Sequence, residues 1–216
     1  SSDLMIRYFR RPGIGRWIPI LLTYTLGISA AYALINPMLV DIGWSLDQIG
    51  FAVNIVGSIV SILGAILIGW VVQKIGRKWA MIISGLGVGV SIFGLIPTAQ
   101  GVNNTALIYG TICLMLLAYG ANATVFATIM MDKSNPETAG TDYTLQYSIS
   151  TIFAFILSGL ALGLAESLGY ITVLMIGVGL SILALVLVYF YDGFDPVKYD
   201  VTFELPLGDD APMAAD

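Results

Sequence analysis

Six stretches of 19 to 26 residues, each without a single Asp, Glu, Lys or Arg, dominate this 216-residue chain. They run over 17–40, 49–72, 79–97, 106–131, 145–165 and 170–191. A helix needs about 20 apolar residues to cross the roughly 30 Å hydrocarbon core of a bilayer. All six are long enough. A charged side chain at the bilayer centre costs at least ~2.5–3.5 kcal/mol on insertion scales. All nine basic and fourteen acidic residues fall in the connections and tails, as insertion requires. Porin-type strands would alternate polar and apolar residues, and these stretches do not. Charged residues make up 11% of the chain, against about 25% in a soluble domain, which excludes a soluble globular fold. A hydrophobic content of 57% excludes disorder of the whole chain. The expected fold class is an all-α membrane protein with six transmembrane helices, the bundle occupying 17–191.

The connections are sorted by charge. Arg7, Arg10, Arg11 and Arg16 precede span one; Lys74, Arg77 and Lys78 separate spans two and three; Lys133 follows span four and Lys198 follows span six. These connections share one side. The other side holds Asp41, Asp47 and Glu166 and no base. Basic residues accumulate in cytoplasmic loops, so both termini are expected in the cytoplasm. Trp17, Trp44, Trp70 and Trp79 stand at or beside span ends, where an aromatic belt would put them. Residues 1–16 mix bases with Met5, Ile6, Tyr8 and Phe9 and read as an amphipathic linker on the inner surface. It is broken by Pro12-Gly13 and suits a chain that continues another domain. Residues 192–216 are acidic and proline-containing and read as a disordered cytoplasmic tail.

Polarity within the spans is partitioned. Span one carries Thr25, Ser29, Tyr32 and Asn36 on one helical face; span two carries Asn54, Ser58 and Ser61. Span four has Tyr119, Asn122, Thr124 and Thr128, and span five opens with Gln146, Tyr147, Ser148 and Thr151. Spans three and six hold nothing more polar than Ser or Thr. Singly, such residues serve as interhelical hydrogen-bonding glue. Partitioned this way, they point to a substrate cavity shared by spans one, two, four and five, with three and six facing outward. Its expected contacts are Thr25, Ser29, Tyr32, Asn36, Asn54, Ser58, Tyr119, Asn122, Gln146 and Thr151. Gly85, Gly87 and Gly89 in span three, the Gly159/Gly163 pair in span five, and Gly177 and Gly179 in span six favour close helix packing. Pro37 is placed to bend the outer end of span one and free a carbonyl there. The turns 69–76 (GWVVQKIG) and 163–169 (GLAESLG) echo one another across spans two-to-three and five-to-six, as a three-plus-three inverted repeat would.

One Cys and no His exclude a disulfide framework and a His- or Cys-based metal site. No cofactor and no nucleic-acid partner is expected. An intramembrane enzyme would need a base–nucleophile pair or a metal. Cys113 stands alone, and no carboxylate lies in a span.

The turn from Gly69 through Gln73, Lys74, Gly76, Arg77 and Lys78 resembles the loop signature of the major facilitator superfamily, roughly G-x-x-x-D-R/K-x-G-R-R/K. Gln73 replaces the signature Asp, a departure frequent in its second copy. The resemblance implies helices seven to twelve of a twelve-helix transporter, with the N-terminal six-helix half as partner. Segment 37–50 (PMLVDIGWSLDQIG), MMDK at 130–133 and AGTDYTLQ at 139–146 resemble the branch of muropeptide permeases, acetyl-CoA transporters and rhizobactin- and pyochelin-type siderophore importers. That implies uptake of a periplasmic small-molecule solute across a bacterial inner membrane by alternating access. Muropeptide or other small-solute transport remains open beside the siderophore, as does a non-transporting receptor or scaffold. Asp142 either caps the start of span five or works as a gate, pairing with the bases of the signature loops. Protons as coupling ion would require a titrating group outside these spans, in the other half or at an edge such as Asp142; otherwise the carrier is a uniporter.

Overall fold

A computed structural model describes residues 8–11 and 13–194. Residues 1–7 and 12 of the expected linker, and 195–216 of the expected acidic tail, lie outside the described residues. Six helices long and apolar enough to cross a membrane run over Ile14–Asp41, Leu46–Ile75, Arg77–Ala99, Thr105–Asp132, Pro136–Leu168 and Tyr170–Phe190. No strand occurs among the described residues. The helices outrun the uncharged stretches because polar and charged residues at their ends still adopt helical backbone. Lys74 and Asp142 are two such residues.

Local chemistry sets the boundaries. Ser45 and Gln48 form a reciprocal capping box at the start of span two. The Asn104 side chain accepts from the Leu107 N–H at 3.2 Å and caps span four. Spans two and three are joined through Gly76 alone, at φ 84° and ψ 171°. Spans five and six are joined through Gly169 alone, at φ 79° and ψ 156°. The two sequence echoes therefore form the same backbone turn, which needs a residue without a Cβ.

Two spans depart from plain α-helix. Span one is interrupted at Tyr24–Thr25, between the helices Ile14–Thr23 and Leu26–Asp41. Hydroxyl groups bracket the interruption: Thr23 donates to the Pro19 carbonyl and Ser29 to the Thr25 carbonyl, each at 2.7 Å. Such back-bonding bends helices. The helix runs unbroken through Pro37, so the expected bend falls instead just beyond Pro19. Span two contains a seven-residue π-helix over Gly50–Val56, where ladder bonds reach one residue further.

Neighbouring spans follow the order five, one, six, three, four, two. Exchanging one with four, two with five and three with six maps that order onto itself, which is the three-plus-three inverted repeat. Spans three and six form the spine, packed on each other and on the backs of one and four. They lie behind spans one and four, while two and five are the flanking, least covered helices. Small residues explain the close spine. A Cβ on Gly85 would meet Leu185, and one on Gly27 would meet Ser181 and the Gly177 carbonyl. Tyr24 adds a polar tie, its hydroxyl donating to the Met81 carbonyl at 2.9 Å and lying 2.7 Å from Ser84 Oγ.

The contact of spans two and four is backbone against backbone. A Cβ on Gly64 would overlap the Leu117 main chain, and one on Gly120 would overlap that of Ser61. A Cβ on Gly159 or Gly163, by contrast, would meet nothing within 4 Å, so neither seats a close helix contact among the described residues. Gly120→Val is expected to push the two spans apart and lower stability by about 1–3 kcal/mol, whereas Gly159→Ala should leave it within about 0.5 kcal/mol. Thermal denaturation of the detergent-solubilised protein measures both. Equal effects would show that the close approach is not what joins these helices.

Candidate functional site

Spans four and five barely touch, and the gap between them, backed by span one, is a cavity of about 330 Å³. Each wall is one helical face. Span four contributes Tyr119, Asn122, Ala123, Phe126, Ala127 and Met130. Span five contributes Tyr147, Ser150, Thr151, Ala154, Phe155 and Ser158. Both sets follow the same i, i+3, i+4, i+7, i+8, i+11 spacing. Span one adds Thr25, Ile28, Ser29 and Tyr32. The cavity sits at the seam between two buried clusters, one containing Ile28 and the other containing Tyr24, Phe126 and Met130.

Of the ten expected contacts, six line this cavity: Thr25, Ser29, Tyr32, Tyr119, Asn122 and Thr151. Asn36 continues the span-one face one turn beyond it. Asn54 and Ser58 are exposed on flanking span two, away from the cavity, and the Ser58 hydroxyl is spent on the Asn54 carbonyl at 2.5 Å. Gln146 is fully buried elsewhere. It accepts from Trp17 Nε1 at 2.8 Å and donates to the Met130 carbonyl at 3.0 Å, tying spans one, four and five together. That bond also removes Trp17 from the expected aromatic belt, since its ring is buried completely. Tyr147, Ser150 and Ser158 complete the span-five wall. Extending the helical face from Thr151, rather than taking the most polar residue, would have found them.

The basic end of the bundle is tied by ion pairs. Arg77 forks onto Asp132, Nε to Oδ2 at 2.5 Å and Nη2 to Oδ1 at 3.2 Å. Arg77 begins one helix and Asp132 ends another, so each sits at the unfavourable pole of its own helix dipole and relieves the other. Asp142, 1% exposed, accepts from Arg11 Nη1 at 2.5 Å and from the Asn135 N–H at 2.9 Å. Arg11 also reaches the Thr138 hydroxyl at 3.3 Å. The expected pairing of Asp142 with signature-loop bases is thus not what this structure contains; its partner comes from the segment before span one.

The Major Facilitator Superfamily family model matches residues 18–205. The chain belongs to the major facilitator superfamily. It is accordingly a multi-pass integral membrane protein and a membrane transporter of that superfamily, whose members are transporters rather than enzymes. The superfamily signature takes a definite form here. Gly69 has open space around it and Gln73 is exposed. The Lys74 ammonium lies 3.8 Å from the centre of the Trp70 ring, and that of Lys78 5.4 Å from the Tyr189 ring. Gly76 makes the turn and Arg77 holds Asp132. The loop's second arginine position therefore braces span three to the end of span four within this chain.

Gln146→Leu should strand the Trp17 indole N–H, while the Met130 carbonyl keeps the Ser134 hydroxyl, and cost about 1–3 kcal/mol. Thr151→Val, on the cavity wall, should change stability by less than about 0.5 kcal/mol. Thermal midpoints in one detergent compare the two. A silent Gln146→Leu would return that residue to the candidate solute contacts.

Proposed function

We propose that this chain is one half of a secondary-active transporter that works by alternating access and imports a siderophore or similar periplasmic solute across a bacterial inner membrane. Both termini then lie in the cytoplasm, the side given to the basic end by its accumulated Arg and Lys. The partner is a second six-helix half, which closes the open side of the cavity. The observation that carries the reading is the cavity itself: an uncharged, partly polar space within the helical region, between spans that scarcely contact each other. Ligand sites of such carriers lie at the repeat interface near the bilayer midplane.

Energy coupling is assigned to groups outside this cavity. No Asp, Glu, Lys, Arg or His lines it among the described residues. Asp142 at the basic end is the one buried carboxylate of the described residues, and it exchanges its bond to Arg11 during the cycle. Asp142→Asn is therefore expected to slow uptake into proteoliposomes by about tenfold or more, the loss of roughly 1.4 kcal/mol from one step, with the yield of folded protein retained.

Carrier and receptor are separated by accessibility. With Cys113 replaced by Ser, thiol labelling of Tyr32→Cys and Asn122→Cys in the intact transporter should change when solute is added. Growth of a deletion strain on single siderophores as iron source selects the solute. Labelling that ignores a bound solute would sink the carrier reading and leave a receptor or scaffold.

A further inference from the structure

The cavity wall offers two kinds of interaction and lacks a third. The first is ring surface. Tyr32 and Tyr119 stack at a centroid distance of 5.6 Å and 24° between planes, each about 40% exposed. On the span-five wall Tyr147 stacks on Tyr143, at 6.2 Å and 13°. The second is unspent hydrogen bonding. Asn122 is 2% exposed, and its amide nitrogen has no hydrogen-bond partner; neither has the Thr25 hydroxyl. Nearby hydroxyls differ: Ser29, Thr124 and Thr128 are satisfied by carbonyls of their own helices. Missing from the wall, among the described residues, is formal charge of either sign.

We propose that this cavity is a subsite for a planar conjugated ring bearing a carbonyl acceptor, taken up uncharged. The ring lies against the Tyr32–Tyr119 pair in an offset stack, and its carbonyl accepts from the Asn122 amide nitrogen. Each alternative loses something definite. A saturated ring forfeits the stacking. A bare hydrocarbon leaves the Asn122 donor buried and unpaired. A carboxylate loses its hydration and finds no counter-charge. The cavity's volume of about 330 Å³ is at the small end of ligand pockets and accommodates a ring with its acyl group. A larger solute lays its remaining parts on the facing half. The inference deepens the transport reading and rests on it for its purpose, while its geometry stands on the cavity alone.

Four probes test it on the intact transporter in detergent, with binding followed by calorimetry: benzamide, cyclohexanecarboxamide, toluene and benzoate. Benzamide should bind, and each of the others should bind roughly five- to tenfold more weakly. Asn122→Leu should erase the preference for benzamide over toluene. Tyr119→Leu should erase the preference over cyclohexanecarboxamide. The wild-type ranking decides the matter even where a variant does not fold. No benzamide binding at millimolar concentration, equal binding of the two amides, or tighter binding of benzoate overturns the subsite. Solute uptake by the same preparation in proteoliposomes separates the two ideas. Uptake without the ranking defeats the subsite and keeps the carrier; the ranking without uptake does the reverse.

Discussion

Hydrocarbon supplies no hydrogen-bond partner, and this constraint orders many of the polar side chains in the bundle. Ser58, Ser91, Thr111, Thr124, Thr128 and Ser181 hand their hydroxyl protons to carbonyls of their own helix, three or four residues back. Tyr24 finds the Met81 carbonyl, and Trp17 finds Gln146. Once these bonds are made, few buried polar atoms within the spans remain unpaired. Thr25 Oγ1 and Asn122 Nδ2 are two of them, and both residues line the cavity between spans one, four and five. An unpaired buried donor is expensive. Its location at a void is what distinguishes a binding wall from packing glue.

The apolar spans cannot be held together by the hydrophobic effect, because lipid is as apolar as their neighbours. Close contact must do that work, and glycine decides where it occurs. Gly64 and Gly120 bring spans two and four to backbone contact, while Gly27, Gly85 and Gly177 seat the spine. Spans four and five, without such a seam, stay apart and leave the cavity. The same order of neighbours recurs under exchange of the two triplets, although the glycine seam of spans two and four has no counterpart between spans one and five. Gly76 and Gly169 correspond in the connections, with closely matching dihedral angles.

The number of spans, their near boundaries and the superfamily were legible in the sequence, because charge exclusion and the loop from Gly69 to Lys78 are local signals. The site was legible in part. Thr25, Ser29, Tyr32, Tyr119, Asn122 and Thr151 follow from polarity plus helical spacing. Gln146 falls outside the cavity lining, because polarity alone does not say whether a side chain meets a void or a buried indole. It lies one residue, about 100°, from the Tyr147 face. Asn54 and Ser58 lie outside the lining for a different reason. Which helices flank the bundle depends on which glycines interlock, and Gly159 and Gly163 carry the same spacing as working contacts without making any. The break at Tyr24–Thr25 was displaced from the expected Pro37 because its visible correlates, hydroxyl back-bonds after Pro19, have no distinctive pattern.

Charge, having been expelled from the spans, is concentrated at one end and organised there by helix polarity. Arg77 and Asp132 each occupy the wrong pole of a helix, so each is stabilised only while the other is present. Asp142 is placed differently. It occupies the favourable first turn of its helix and already receives the Asn135 N–H, so its bond to Arg11 adds to a carboxylate that has other support. A pair whose members depend on each other suits a permanent brace between spans three and four. The Oδ1 of Asp142 is buried without a partner, so Arg11 is the counter-charge that keeps this carboxylate tolerable in place. At this end Arg77–Asp132 braces span three to the end of span four, and Arg11–Asp142 ties the segment before span one to the start of span five.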